Sequence, residues 1–232
     1  MLKPNSGWDS QFGATAISLP TYSIAVQLLQ NYESNVRPLC HILHMPTVRS
    51  QMRTFYLGIA QGDSIIHGQA ALLLSLFALS AYFYQPSDTS ELATTKQEAI
   101  QLSKILSGNA LDVLDHSRRN TSGTLEDIQA YIHMAFVSYH LDGFSARGRM
   151  LTTTAIGIAR ELRLHQLDAD PPNDETNIRC LIDREIQRRV FWHVALTDWY
   201  ARVPSSRSCC CSHFSGYLPP FPAHKRAPTL FI

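Results

Sequence analysis

The chain of 232 residues carries ten histidines, five cysteines and nineteen carboxylates, and their spacing decides what chemistry is open to it. His41 and His44 stand three apart, but Pro46 sets them in a connection with no third ligand nearby, so a partly exposed pair is expected. Cys40, Cys180, Cys209, Cys210 and Cys211 are a sparse, odd set with three in a row, which makes no disulfide framework. Adjacent cysteines cannot all turn to one tetrahedral ion, so they make no zinc site either. His133 and His140 lie two turns apart with no acid on their face, and packing or hydrogen bonding is expected of them. Asp112 and Asp115 come closest to the carboxylate cluster with which a helical enzyme holds magnesium. Arg118 and Arg119 follow Asp115 at the spacing that neutralises it. The zinc-protease, serine-hydrolase and phosphate-loop signatures are absent. No catalytic residue, metal or cofactor is expected.

Holding any such group in place requires a packed body, and the composition supplies one. With 45% hydrophobic and 17% charged residues the chain is globular and long enough for a domain with its own core. The formal charge is +1, but residues 202–232 hold four basic residues and no acid, so the main body is mildly acidic. That balance offers no broad grip on nucleic-acid phosphate. Met1 to Pro20 has one lysine and lacks the apolar core of a secretory signal. From Ser64 to Ser87 there is no charged residue, and Ala70 to Tyr84 reads AALLLSLFALSAYFY. This run is shorter than the roughly 20 residues that cross hydrocarbon, so a buried central helix is expected and not a membrane span.

Helical periodicity dominates. The expected fold is all-α, a multi-helix bundle or array with a disordered C-terminal tail. Thr21–Asn35 predicts a short helix, and Val48–Gln61 another after a proline-containing connection. Beyond the apolar run, Ser90 is expected to cap a helix that ends near Arg119, with Gly108 as a point of interruption. Ile100, Leu102, Ile105, Leu106, Leu111 and Leu114 would face inward from it. Thr124 and Asp127 resemble a capping box ahead of a stripe formed by Leu125, Ile128, Ile132, Ala135, Phe136 and Tyr139. Gly143 would stop that helix and Ser145 cap the next, Ala146 to His165, with Met150, Ile156, Ala159 and Leu162 inward. A last helix, Ile178 to Ala201, would turn Ile182, Ile186, Arg189, Val190, His193 and Val194 inward. From Arg202 onward, five of the twelve prolines and three of the five cysteines crowd into 31 residues, and an unpacked tail is expected.

Three stretches carry a family likeness. Leu125 to Asp168 holds Leu125, Ile128, Gln129 and Ala130, then Gly143 in a turn, then Ala159, Arg160, Glu161, Leu162, Leu164 and His165. Glu185 to Arg202 holds Glu185, Arg188, Arg189, Phe191, Trp192, Asp198 and Trp199. Tyr32 to Ser50 holds the run VRPLCHILHMPT. In this order and spacing they resemble the fungal-specific transcription factor domain, the middle homology region of fungal zinc binuclear cluster regulators, over about residues 21–201.

The resemblance implies a regulatory domain controlling transcription, including that of a biosynthetic gene cluster, and located in the nucleus, or in the cytoplasm if the chain is truncated. Its partners would be proteins, either the transcription machinery or a full-length regulator, with DNA reached only indirectly. A small-molecule effector is a further candidate partner, and no membrane is involved. Full-length members hold zinc in a six-cysteine module whose ligands are missing here. The domain reading is a flexible segment over 1–20, an incomplete regulatory domain over 21–201 and a tail over 202–232. The alternative is a free-standing helical small-molecule-binding or protein-interaction module. An arginine buried in the last helix needs a carboxylate. We therefore expect a partly buried cross-helix clamp joining Arg188 or Arg189 to Glu161 or Glu185, with Phe191 and Trp192 as core anchors.

Overall fold

The computed structural model describes residues 3–4, 18–85, 92–143, 145–169 and 178–202. Among them are seven α-helices: α1 (Tyr22–Asn31), α2 (Met45–Gln61), α3 (His67–Tyr82), α4 (Lys96–Asn120), α5 (Leu125–Asp142), α6 (Ala146–Glu161) and α7 (Ile178–Arg202). The all-α expectation holds. The one strand pairing among the described residues is a two-residue antiparallel ladder, Lys3–Pro4 with Ser18–Leu19. Of the expected flexible segment, residues 18–20 are tied down. Asn109 Nδ2 donates to the Ser18 carbonyl and the Tyr56 hydroxyl to the Pro20 carbonyl, both at 2.8 Å. The tail expected from Arg202 lies, past that residue, outside the described residues.

The uncharged run becomes α3, buried continuously from Ala70 to Ala81. A helix with no polar face must be enclosed on every side, and α1, α4 and α5 enclose it. No described helix is long and apolar enough to cross a membrane. Against α3, α4 presents Ala99, Ser103, Leu106, Ala110, Val113 and Ser117, in alternating steps of four and three. Leu106 and Leu114 are buried as expected, but the rest of the expected face is corrected: Ile105 is 49% exposed, and Ile100, Leu102 and Leu111 are only half-buried. Small side chains let two helices lie close, so the seam belongs to them and the bulky residues flank it. Ser103 confirms the fit by donating to the Ala78 carbonyl at 2.7 Å. The helix runs unbroken through Gly108, and its cap is Thr95, not Ser90: Thr95 and Glu98 form a full capping box.

The Thr124–Asp127 capping box opens α5 as expected. The single stripe expected beyond it does not describe this helix, which is buried without a break from Asp127 to Ala135 because its neighbours surround it. Gly143 ends α5 at φ +68°, a conformation that favours glycine, and Ser145 caps α6 through the Gly148 amide. The helix α6 stops at Glu161, short of His165, because Arg163 turns left-handed at φ +56° and swings Leu164 into the core. Met150, 60% exposed, and Leu162 face outward, contrary to expectation. The inward set is Leu151, Thr152, Ala155, Ile156 and Ala159. The expected inward set mixed two faces of the helix, since Met150 is one position, or about 100°, off the true stripe.

At the centre one polar chain crosses the bundle. After α1 the backbone widens into a π-turn over Tyr32–Val36, and Tyr32 is fully buried. Ser75 Oγ donates to the Leu72 carbonyl at 2.8 Å, so it accepts from His133 Nδ1–H at 3.2 Å. His133 Nε2 is then bare and accepts the Tyr32 hydroxyl at 3.0 Å. Every proton in this chain is used only when the imidazole is neutral. Burial pushes the His133 pKa down to about 3, with His193 nearby adding to the effect. His133 thus does what hydrogen bonding was expected to do, whereas His140 sits exposed at the rim and bonds the Phe136 carbonyl.

A buried neutral histidine stabilises the fold fully above its unfolded pKa near 6.5, and that contribution is lost as pH falls toward the folded value. Each proton taken up on unfolding gives a slope of about 1.4 kcal/mol per pH unit. His67 and His193 are lowered in the same direction, so a variant isolates His133. Urea unfolding should show the stability gap between the native chain and His133→Gln narrowing at about that slope from roughly pH 6 to 4.5. Parallel curves would refute the neutral chain.

Candidate functional site

The family-motif residues divide into supports and surface. Gln129 is buried on α5 and donates to the Ile42 carbonyl at 2.8 Å, tying the proline-containing connection to the core. Gly143 makes the turn and Leu164 is buried below it. In α6, Gly148 is needed because a Cβ there would come within 2.4 Å of the Tyr139 ring. Arg160, Glu161 and His165 are exposed. Asp198 is buried in α7, near its end.

Helix α7 rests on the body through Ile186, Val190, Val194 and Asp198, one turn apart. Trp192 lies two residues from Val190, about 200° round the helix, so it is 43% exposed and not the core anchor expected. Phe191, between these directions, is half-buried against the core. Arg189 also faces outward, contrary to the inward position expected of it, and donates to Glu185 Oε1 at 2.9 Å along the same helix.

The expected cross-helix clamp is not formed: Glu185 bonds both arginines along its own helix, and the longer reach goes to a loop carboxylate, largely exposed. Arg188 reaches across to Asp168 in a two-pronged bond, Nε to Oδ2 at 3.0 Å and Nη2 to Oδ1 at 2.6 Å. Its remaining prong meets Glu185 Oε2 at 2.6 Å. Arg184 adds a bond to the Leu167 carbonyl at 2.7 Å. Glu161 takes no part; it lies on the far side of the left-handed turn at Arg163, which brings Asp168 to α7 in its place. Hydrogen bonds from Arg188 hold the Asp168 carboxyl below its ordinary range. Burial alone would raise Glu185, but bonds from Arg188 and Arg189 leave it lowered. Asp168 sits in a polar loop outside any helical period, so nothing in the sequence singles it out.

Between α5, α6 and α7 lies an apolar cavity of about 230 Å³. Ile132, Ala135 and Phe136 wall it from α5, Ala155 from α6 and Val194 from α7. The polar groups at its edge are Tyr139, Thr152, Thr197 and His193. Thr152 donates to the Gly148 carbonyl, so it accepts from Tyr139 at 3.1 Å. Thr197 donates to the His193 carbonyl at 2.8 Å. The His193 ring has no hydrogen-bond partner among the described residues, and burial lowers its pKa. A larger recess of about 350 Å³, between the α4–α5 corner and α6, is of mixed character, with Arg118, Asp127 and Glu161 lining it beside Leu114 and Ile158. Asp127 Oδ2 caps α5 there while Oδ1 has no partner among the described residues.

The described residues do not fit a zinc cluster. They hold no group of three or more histidines, cysteines or carboxylates placed to hold an ion. The Cys40 thiol is buried and pushed up to about 12, the reverse of what a metal-binding thiolate needs. Asp115, expected to be neutralised, pairs with both Arg118 and Arg119.

Half-exposed pairs contribute little singly, but a two-pronged, networked arginine contributes about 1 kcal/mol. Arg188→Ala should therefore lower the melting temperature by roughly 2–4 °C, and Arg189→Ala by less than half as much. Calorimetry on both variants checks this; equal effects would show that Asp168 adds nothing.

Residues 29–201 match the family described as the fungal specific transcription factor domain. The chain is 42% identical over 200 residues to the probable transcription factor lepB of Aspergillus flavus, covering 84% of this chain and 35% of the relative. It is 30% identical over 179 residues to transcription factor TAS2 of Pyricularia oryzae, covering 75% of this chain and 23% of that one. It is 31% identical over 194 residues to the Agnestins biosynthesis cluster transcription factor AgnL11 of Paecilomyces divaricatus, covering 82% and 28%. The chain thus spans about a third or less of the length of these relatives. No solved structure matches it significantly. The chain belongs to the fungal specific transcription factor domain family.

Proposed function

We propose that this domain controls transcription by protein contact, without catalysis and without a zinc cluster of its own, and that it reaches DNA through a partner in the nucleus. The observation that carries the reading is the outer side of α7. Ile178, Leu181, Trp192 and Leu196 are exposed there, the first at 72% and the last at 54%, while Ile186, Val190 and Val194 fill the inner side. Apolar residues stand exposed at both ends of this side, with the Glu185–Arg189 pair between them, and exposed apolar surface of this kind marks interaction sites. One relative is named for a biosynthesis cluster. Control of a biosynthetic gene cluster is accordingly the role proposed here.

The cavity favours a second element of the same reading, response to a small-molecule effector, which is also what a free-standing binding module would do. Its walls include α7 itself. An effector bound there would bear on the helix that makes the outward contact.

Tethering the full chain to a heterologous DNA-binding domain in a fungal reporter strain tests the contact reading. Reporter output should change several-fold, and the double substitution Trp192→Asp with Leu196→Asp should abolish the change. Both residues are exposed, so the melting temperature should stay within about 2 °C. An unchanged reporter from well-expressed native chain would refute the proposal, as would a double variant that acts like the native chain.

A further inference from the structure

We propose that the cavity between α5, α6 and α7 is a binding site for a small, uncharged, single-ring molecule that carries one hydroxyl, held by His193. The inference rests on the effector-responsive reading and deepens it by naming the ligand class.

Size comes first. A cavity of 150 Å³ lined by aliphatic side chains holds benzene. The 230 Å³ here has room for one ring and a few further atoms. The walls come second. Ile132, Ala135, Phe136, Ala155 and Val194 offer only apolar surface, so most of the ligand must be apolar. Charge comes third. Among the described residues no charged side chain lines the cavity, and burial disfavours the charged form of both His193 and the neighbouring His133. An anion would find no counter-charge and a cation no carboxylate.

The polar match is specific. Thr152 and Thr197 spend their protons on the Gly148 and His193 carbonyls, so toward the cavity they can only accept. The His193 imidazole, half-buried and with neither ring nitrogen bonded among the described residues, stands beside the Thr197 hydroxyl as an acceptor and is the one of the two with no hydrogen bond of its own. A neutral imidazole accepts through its bare nitrogen. A ligand hydroxyl that donates to it satisfies both groups, and a ligand without one leaves the imidazole as it is. The bound molecule would touch Val194 beside the inner stripe of α7, and so would bear on that helix from within.

Isothermal titration of the purified 232-residue chain with 4-ethylphenol, ethylbenzene and 4-ethylbenzoate tests this. 4-Ethylphenol should bind saturably at one site, ethylbenzene about tenfold more weakly, and 4-ethylbenzoate not measurably; a tenfold difference corresponds to about 1.4 kcal/mol. His193→Leu should bring the two neutral probes to within twofold of each other. Ala155→Phe, which places a ring in the cavity, should abolish both. The proposal is overturned if the folded native chain, verified by its thermal melt, binds none of the probes or binds the benzoate as well as the phenol. It is also overturned if His193→Leu leaves the tenfold preference intact. The reporter assay reads contact and not this cavity. A chain that drives the reporter but binds no probe therefore sinks this inference alone, and one that binds but leaves the reporter silent sinks only the contact reading.

Discussion

One helix with nothing to offer water dictates the arrangement of the others. Every residue of α3 from Ala70 to Ala81 is buried, and burying an aliphatic side chain of this kind contributes roughly 1.5–3 kcal/mol. Such a helix is stable only inside a sleeve. The α4 seam of Ala99, Ser103, Ala110 and Ser117 supplies one wall by being small enough to lie close, and α5 supplies another. Enclosure has a polar consequence. Ser75, Ser80 and His133 are sealed with the apolar residues, so each must find a partner inside. Ser80 takes the Leu28 carbonyl and receives Asn31, while Ser75 and His133 close the chain that ends at Tyr32. The π-turn after α1 is therefore fixed to the centre of the bundle.

The far side of the molecule follows different physics. Helix α7 is held by one narrow stripe, a two-pronged arginine at a half-exposed carboxylate and a cavity where tighter packing would otherwise be. Interactions of that kind are weak individually and sensitive to what occupies the gap. The protein thus pairs a tightly enclosed core with a more lightly attached helix that exposes Trp192 and Leu196 beside the Glu185–Arg189 pair.

Much of this was legible in the residues. The uncharged run, the Thr124–Asp127 box, the Gly143 stop and the Ser145 cap all act locally, and local signals survive folding. A search for bulky apolar positions finds Leu106 in the α4 seam but passes over its small members, Ala99, Ser103, Ala110 and Ser117. The Thr95–Glu98 box lies five residues beyond Ser90, which after the turn signal of Pro86 looks like the helix start. Trp192 and Met150 were placed inside because large apolar residues usually are, yet a one-step shift of a helical stripe moves them outside. Asp168, Tyr32 and the setting of His193 depend on elements far apart in sequence, and no spacing rule connects them. The family likeness located the right helices without saying which of their residues bear load.

The central claim is that α3 and α5 form a core that opens only when the whole domain unfolds, while α7 detaches more easily. Hydrogen exchange of the full chain, followed by mass spectrometry, tests it most directly. The account requires the slowest amides to lie in α3 and α5, exchanging at the rate set by global unfolding, with α7 amides exchanging sooner through a smaller opening. Exchange in α3 as fast as in α7 would contradict it.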